Sequence, residues 1–298
     1  MFEKVNAGHP DKMADRLAGA VVDLVYERAG GLTKANPRVA CEVMAGHGRV
    51  DVQIETSLGR LDLRADDLDP LIHRLFGERV EGNVLIAPQD AHLSDNQTRG
   101  LRCADNGIFK GCPPTEEQRV LTAIAATIYG TIPYDGKYII QQRDGQWDLT
   151  VCQSHLSREQ EPELRQMLKE RYNVHLPTIN PLGPWTGGID VDCGCTNRKL
   201  GSDMGDSVTG GGLMGKDLSK ADVSVNIVCH LKAVASGQVV TAMCSIGDEC
   251  VTFTYADGRT ETERFADIVE QARLYILTDC QGSFERFAMW GLIAPPAL

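Results

Sequence analysis

The chain is 298 residues long, 42% hydrophobic and 24% charged, the balance of a globular protein with a sizeable core. A net charge of -11 argues against a general nucleic-acid surface. No apolar run is long enough to span a bilayer, and the opening Met1-Phe2-Glu3-Lys4 lacks the apolar stretch of a secretory leader. The expectation is a soluble, cytoplasmic protein with no nucleic-acid or membrane partner. Its ten cysteines, scattered without a compact framework, are expected as reduced thiols, Cys193 and Cys195 included.

The first predicted element is a helix from Pro10 to about Arg28. Proline suits the first turn, Met13, Leu17, Val21 and Leu24 make one apolar stripe, and Gly30-Gly31 stops it. Two strands follow, Arg38 to Val43 and then Val50, Val52 and Ile54 alternating with polar residues, joined by a Gly-His-Gly turn. A second helix is expected from about Ala65 to Phe76.

The order then repeats. Thr115 and Gln118 form a capping box that opens a helix to about Tyr129. Lys137 to Gln142 and Trp147 to Cys152 read as a hairpin around Arg143-Asp144-Gly145, and Ser157 with Gln160 opens a helix to about Tyr172. A third round predicts a helix after Asp217, strands near 239–246 and 250–255, and a helix near 263–274. Helix, hairpin, helix thus recurs at a spacing of about 100 residues, the signature of an internally repeated architecture. The predicted fold is α+β, with three pseudo-symmetric βαββαβ-type units, each a mixed or antiparallel sheet with helices on one face. The units are expected at 1–98, 99–179 and 180–298.

Four segments place glycine and charge where an ordinary core would not. They are Gly8 to Lys12, Ala104 to Gly107, Asp192 to Lys199, and Gly210 to Asp217 with Lys220 and Asp222. In the last, several glycines let backbone N–H groups approach an anion, and a helix opening just after adds its positive end. Lys216 and Lys220 are expected one helical turn apart, facing one polyphosphate, and Asp222 is a candidate for a hard cation. The bland alternative is a mobile loop with solvated lysines. The segment is not a Walker loop, for no Gly-Lys-Ser/Thr ending is present. His9 and Asp11 stand at the start of the first helix, where they act either as caps or as receivers of an anion and its metal.

Gly8-His9-Pro10-Asp11-Lys12 with Ala14-Asp15, Val39 to Glu42, Tyr134-Asp135-Gly136-Lys137, Ile179-Asn180-Pro181, Asp192-Cys193-Gly194 with Arg198-Lys199, and Gly210 to Asp217 follow one another along nearly the whole chain. In this order they resemble the S-adenosylmethionine synthetase family. The resemblance implies an enzyme that forms S-adenosyl-L-methionine from ATP and L-methionine and hydrolyses the triphosphate to phosphate and diphosphate. It also implies three similar domains, a homodimer or tetramer with active sites between subunits, two magnesium ions and a potassium ion.

Carried over by position, the resemblance makes His9, Lys137, Arg198 and Lys216 catalytic. It adds Asp135, Trp185, Asp192, Lys199 and Lys220 as contacts to ATP. Asp11 and Asp222 resemble magnesium ligands, and Glu42 the potassium-site acid. Gln97, Asp105, Asp192 and Lys220 resemble methionine contacts, with either Gln53 or Glu55 at its amino group. Trp185 is either an adenine-stacking ring or a core tryptophan beside a turn. The chain departs from the family in its short stretch between Gln97 and Asp105 and in Val223, where an arginine is usual. Two other readings are a triphosphatase or synthetase relative that uses another thioether, and a catalytically silent regulatory subunit.

Overall fold

The computed structural model describes residues 1–59, 62–90 and 101–295. Among them are three four-stranded sheets and eight α-helices, as the α+β expectation required. Helix α1 (Pro10–Arg28) carries proline in its first turn and is capped by His9, whose side chain accepts from the Asp11 N–H. Strands β2 (Val39–Gly46) and β3 (Arg49–Thr56) form the first hairpin. Helix α2 (Asp69–Phe76) then leads to β4 (Glu81–Pro88), which lies parallel to β3.

The second unit repeats this plan. Helix α3 (Glu116–Thr131) opens with the reciprocal Thr115–Gln118 capping box. Strands β6 (Gly136–Arg143) and β7 (Gln146–Gln153) meet across Asp144-Gly145, both at positive φ. Helix α4 (Glu161–Tyr172) is preceded by a Ser157–Gln160 exchange of hydrogen bonds, and β8 (Thr178–Ile179) runs parallel to β7. In the third unit, short α5 (Leu200–Met204) precedes α6 (Ala221–Ser236), and β10 (Val240–Cys244) and β11 (Cys250–Tyr255) form the hairpin. Here β12 (Thr260–Arg264) returns antiparallel before α7 (Phe265–Thr278), and α8 (Phe284–Trp290) closes the chain against α1.

Each sheet is completed by a strand from a different unit. Strand β1 (Phe2–Val5), ahead of α1, pairs with β6; β5 (Gly107–Gly111), ahead of α3, pairs with β10; and β9 (Cys193–Cys195), ahead of α6, pairs with β2. The three exchanges form a closed cycle. The helix-facing sides of the sheets build two hydrophobic cores: one around α1, α6 and α7, the other around α3 and β6–β7. Among the described residues the opposite sheet faces carry no helix. They expose Met44, Leu85, Ile108, Ile139 and Met243, each between 46% and 69% accessible.

Candidate functional site

A strap of residues 192–199 crosses the N-terminal end of α1. Its central Gly194 passes so close to Pro10 that any Cβ would collide with the Pro10 carbonyl. Asp11 is 1% exposed, and its carboxylate accepts from the Cys195 N–H at 2.9 Å. Lys199 Nζ lies 2.9 Å from it and Arg198 Nε 3.5 Å. Burial pushes the Asp11 carboxyl upward, but the Lys199 and Cys195 hydrogen bonds outweigh it and hold the group below its ordinary pKa. His9, buried beside it, is driven down to about 3 by burial and by neighbouring Lys137. Its ring is therefore neutral at pH 7. Because Nδ1 accepts the Asp11 N–H at 3.1 Å, the remaining proton sits on Nε2.

Lys137, on the uncovered face of β6, lies 3.9 Å from the Asp192 carboxylate. Asp135 is 2% exposed, with one oxygen accepting from the Gly188 N–H at 3.3 Å and the other buried without a hydrogen-bond partner. Trp185 is half-buried, and its indole N–H donates to Asn180 at 3.2 Å. Both the Trp185 ring and the Asp135 carboxylate border Gly187. Burial raises the Asp135 carboxyl to about 6. The native chain therefore keeps a proton that the unfolded chain releases near pH 4, and this contribution to stability disappears as pH rises through 6. Asp135→Asn cannot lose that proton. Its stability relative to wild type is expected to improve by about 2–3 kcal/mol between pH 4 and 7.5. Urea unfolding at the two pH values measures this; an unchanged difference would refute the assignment.

The glycine-rich segment lies about 10 Å further along α1, two helical turns past Asp11, where Gly215 packs on Ala18. Gly215 has φ +78, and its backbone C=O accepts from Cys41 N–H at 2.7 Å. Lys216 Nζ is 2.7 Å from Asp222, which is 8% exposed, and Gly211 sits directly over that carboxylate. One expectation is corrected here. Lys216 and Lys220 do not share a helix, because α6 begins only at Ala221 and Lys220 is its N-cap residue. Asp217 is the cause: its carboxylate accepts from Val39 and Ser219 N–H groups and ties the chain to β2 before it can coil.

The remaining candidates are spread out. Glu42 accepts from the Thr196 hydroxyl and stands opposite Gln53 on the uncovered face of β2–β3; Glu55 is on that same face, opposite Ala40. Asp105 is exposed beside β5, and among the described residues no hydrogen bond or ion pair joins its side chain to either lysine–aspartate cluster. Gln97 lies outside the described residues. Sequence reasoning missed Asp15, Thr196 and Asn197, which tie α1, β2 and the glycine-rich segment to the strap. Their only signal was their place inside the charged motifs.

Among the described residues no three His, Cys, Asp or Glu side chains converge on one point, so no all-protein metal cage is present. Asp11 and Asp222 are instead single carboxylates, each held by a lysine. That donor set fits a hard divalent ion that keeps its waters and is shared with phosphate oxygens.

No protein-family model matches the sequence. Curated relatives do. One from Ruegeria pomeroyi, named S-adenosylmethionine synthase, is 30% identical over 312 residues, covering 86% of this chain and 77% of its own. One of the same name from Rhodopseudomonas palustris is 27% identical over 315 residues, with the same shares covered. Among solved structures, an unusual S-adenosylmethionine synthetase from Campylobacter jejuni superposes with a TM-score of 0.72 at 20% identity, covering 98% of this chain and 93% of that one. The structural likeness carries the fold.

Proposed function

The chain belongs to the S-adenosylmethionine synthase family, and from that premise we propose that it forms its product at sites furnished by the Asp11 and Asp222 clusters. It is a methionine adenosyltransferase that makes S-adenosyl-L-methionine from ATP and L-methionine. The observation that carries the site is the pair of buried carboxylates, each locked to a lysine at 2.9 and 2.7 Å. Such lysines can turn to phosphate when the carboxylate takes up a cation.

Methionine sulfur has no proton to lose as it attacks the ribose carbon, so no strong general base is needed. The work is to align sulfur with the leaving oxygen and to neutralise the charge growing there. Lys137, Arg198, Lys199, Lys216 and Lys220 hold the triphosphate. His9, neutral and protonated on Nε2, donates toward the leaving oxygen. Asp135 and Asp192 receive the nucleoside, beside the Trp185 ring. Asp105, Asp192, Lys220 and one of Gln53 or Glu55 receive methionine. Bound magnesium at Asp11 and Asp222, with potassium at Glu42, supplies further positive charge to the phosphates. The same lysines and arginine serve hydrolysis of the triphosphate by water to phosphate and diphosphate.

The two clusters exchange no ion pair among the described residues, and several candidate side chains stand on uncovered sheet faces next to exposed apolar residues. This arrangement supports a homodimer in which each active site draws on both protomers.

Mass spectrometry of the protein with ATP, methionine, magnesium and potassium is expected to show S-adenosylmethionine. Chelation of magnesium is expected to stop its formation. Triphosphate release without the sulfonium would overturn the proposal.

A further inference from the structure

We propose that Asn197 is a positioning residue, a clasp that fixes the glycine-rich phosphate loop to the strap bearing Arg198 and Lys199. The inference rests on the functional reading above and adds to it a group that touches neither substrate nor metal.

Asn197 sits in the left-handed region at φ +63, a conformation that asparagine tolerates better than most residues. The turn points its main chain one way and its side chain the other. Its N–H donates to Asp15 at 2.8 Å, securing the strap to α1. Its carboxamide closes on Met214 from both sides: the oxygen accepts from Met214 N–H at 2.8 Å, and the amide donates to Met214 O at 3.3 Å. Gly212 lies against that carboxamide, where a side chain would collide with it.

Besides the burial of Leu213 and Met214 in the core, few hydrogen bonds hold this stretch. Among the described residues, the other hydrogen bond within 209–214 is local, from Gly211 N–H to the Thr209 hydroxyl. The next anchors are Val208 on one side, bonded to Lys110 of β5, and Gly215 and Asp217 on the other, both bonded to β2. Asn197 thus sets where Gly211 and Gly212 stand over Asp222, and how Lys216 is held relative to Lys199. A loop of glycines otherwise pays a large ordering entropy each time it closes on an anion. The clasp meets that cost before the nucleotide arrives.

Asn197→Gly tests this cleanly, because glycine adopts the same positive φ without strain and only the carboxamide is lost. Two hydrogen bonds are removed, so KM for ATP is expected to rise about tenfold with kcat much less affected, the pattern for contacts made equally in ground and transition states. Hydrogen–deuterium exchange is expected to rise at 209–214 and to stay unchanged at 193–196. Asn197→Asp keeps the acceptor for Met214 N–H and is expected to recover part of the KM. An unaltered KM, or faster exchange spread evenly through the chain, would overturn the clasp. The exchange measurement needs no turnover. If wild-type protein forms no S-adenosylmethionine the functional reading fails, while the exchange result still decides whether Asn197 holds the loop.

Discussion

Lys216→Ala is expected to lower the rate of S-adenosylmethionine formation by about 10²–10³, the usual effect of removing one preorganised group that stabilises a developing negative charge. The geometry gives the reason. Lys216 Nζ stands 2.7 Å from the Asp222 carboxylate under a roof of glycines, so it is already ordered and partly dehydrated before substrate binds. Removing it takes away the proposed phosphate contact and leaves a largely buried carboxylate without its countercharge. Steady-state assays with ATP varied separate the two effects, and Lys216→Arg is expected to retain more activity than alanine. A Lys216→Ala protein that turns over at the wild-type rate would dismiss this lysine from the site.

Lys12→Met is expected to cost about 3–5 kcal/mol of stability, the range for breaking a buried ion pair from one side. Lys12 is fully buried, with Asp15 at 3.0 Å and Asp203 at 2.6 Å. Burial pulls the ammonium pKa down, but the two acids prevail and raise it above its ordinary value. Asp15 is still pushed up to about 6 by burial even with the lysine in place. Without Lys12 the two acids would share a dry pocket with no cation between them. Adding Asp203→Asn to Lys12→Met is expected to restore part of the loss, because one of the two like charges is gone. Urea denaturation of the single and double variants provides the comparison. Equal midpoints for wild type and Lys12→Met would contradict the argument.

Local signals were legible wherever the physics is local. Pro10 and the stripe Leu17, Val21 and Leu24 fixed α1, the Thr115–Gln118 box fixed the start of α3, and Asp144-Gly145 fixed a hairpin. Strands β1 and β9 were not legible. Each is four residues or fewer and pairs with a partner more than a hundred residues away, so no periodicity marks it. The charged motifs identified the Asp11 and Lys216 neighbourhoods, yet gave no hint that Asp217 would hold Lys216 off the helix. Nothing in the sequence around Lys4 marks it as buried. In the structure its ammonium is buried against the carbonyls of Ser202, Trp290 and Ile293, which binds the beginning of the chain to its end.

The cyclic exchange of strands also bears on synthesis at the ribosome. The first sheet able to close is the one holding β1, and it waits for β8 at Ile179. The sheet seeded earliest, by the β2–β3 hairpin, waits for Cys195, and the last for Arg264. A nascent chain therefore carries open strand edges until Arg264 has emerged, so shielding of those edges falls to whatever meets the polypeptide at the exit tunnel.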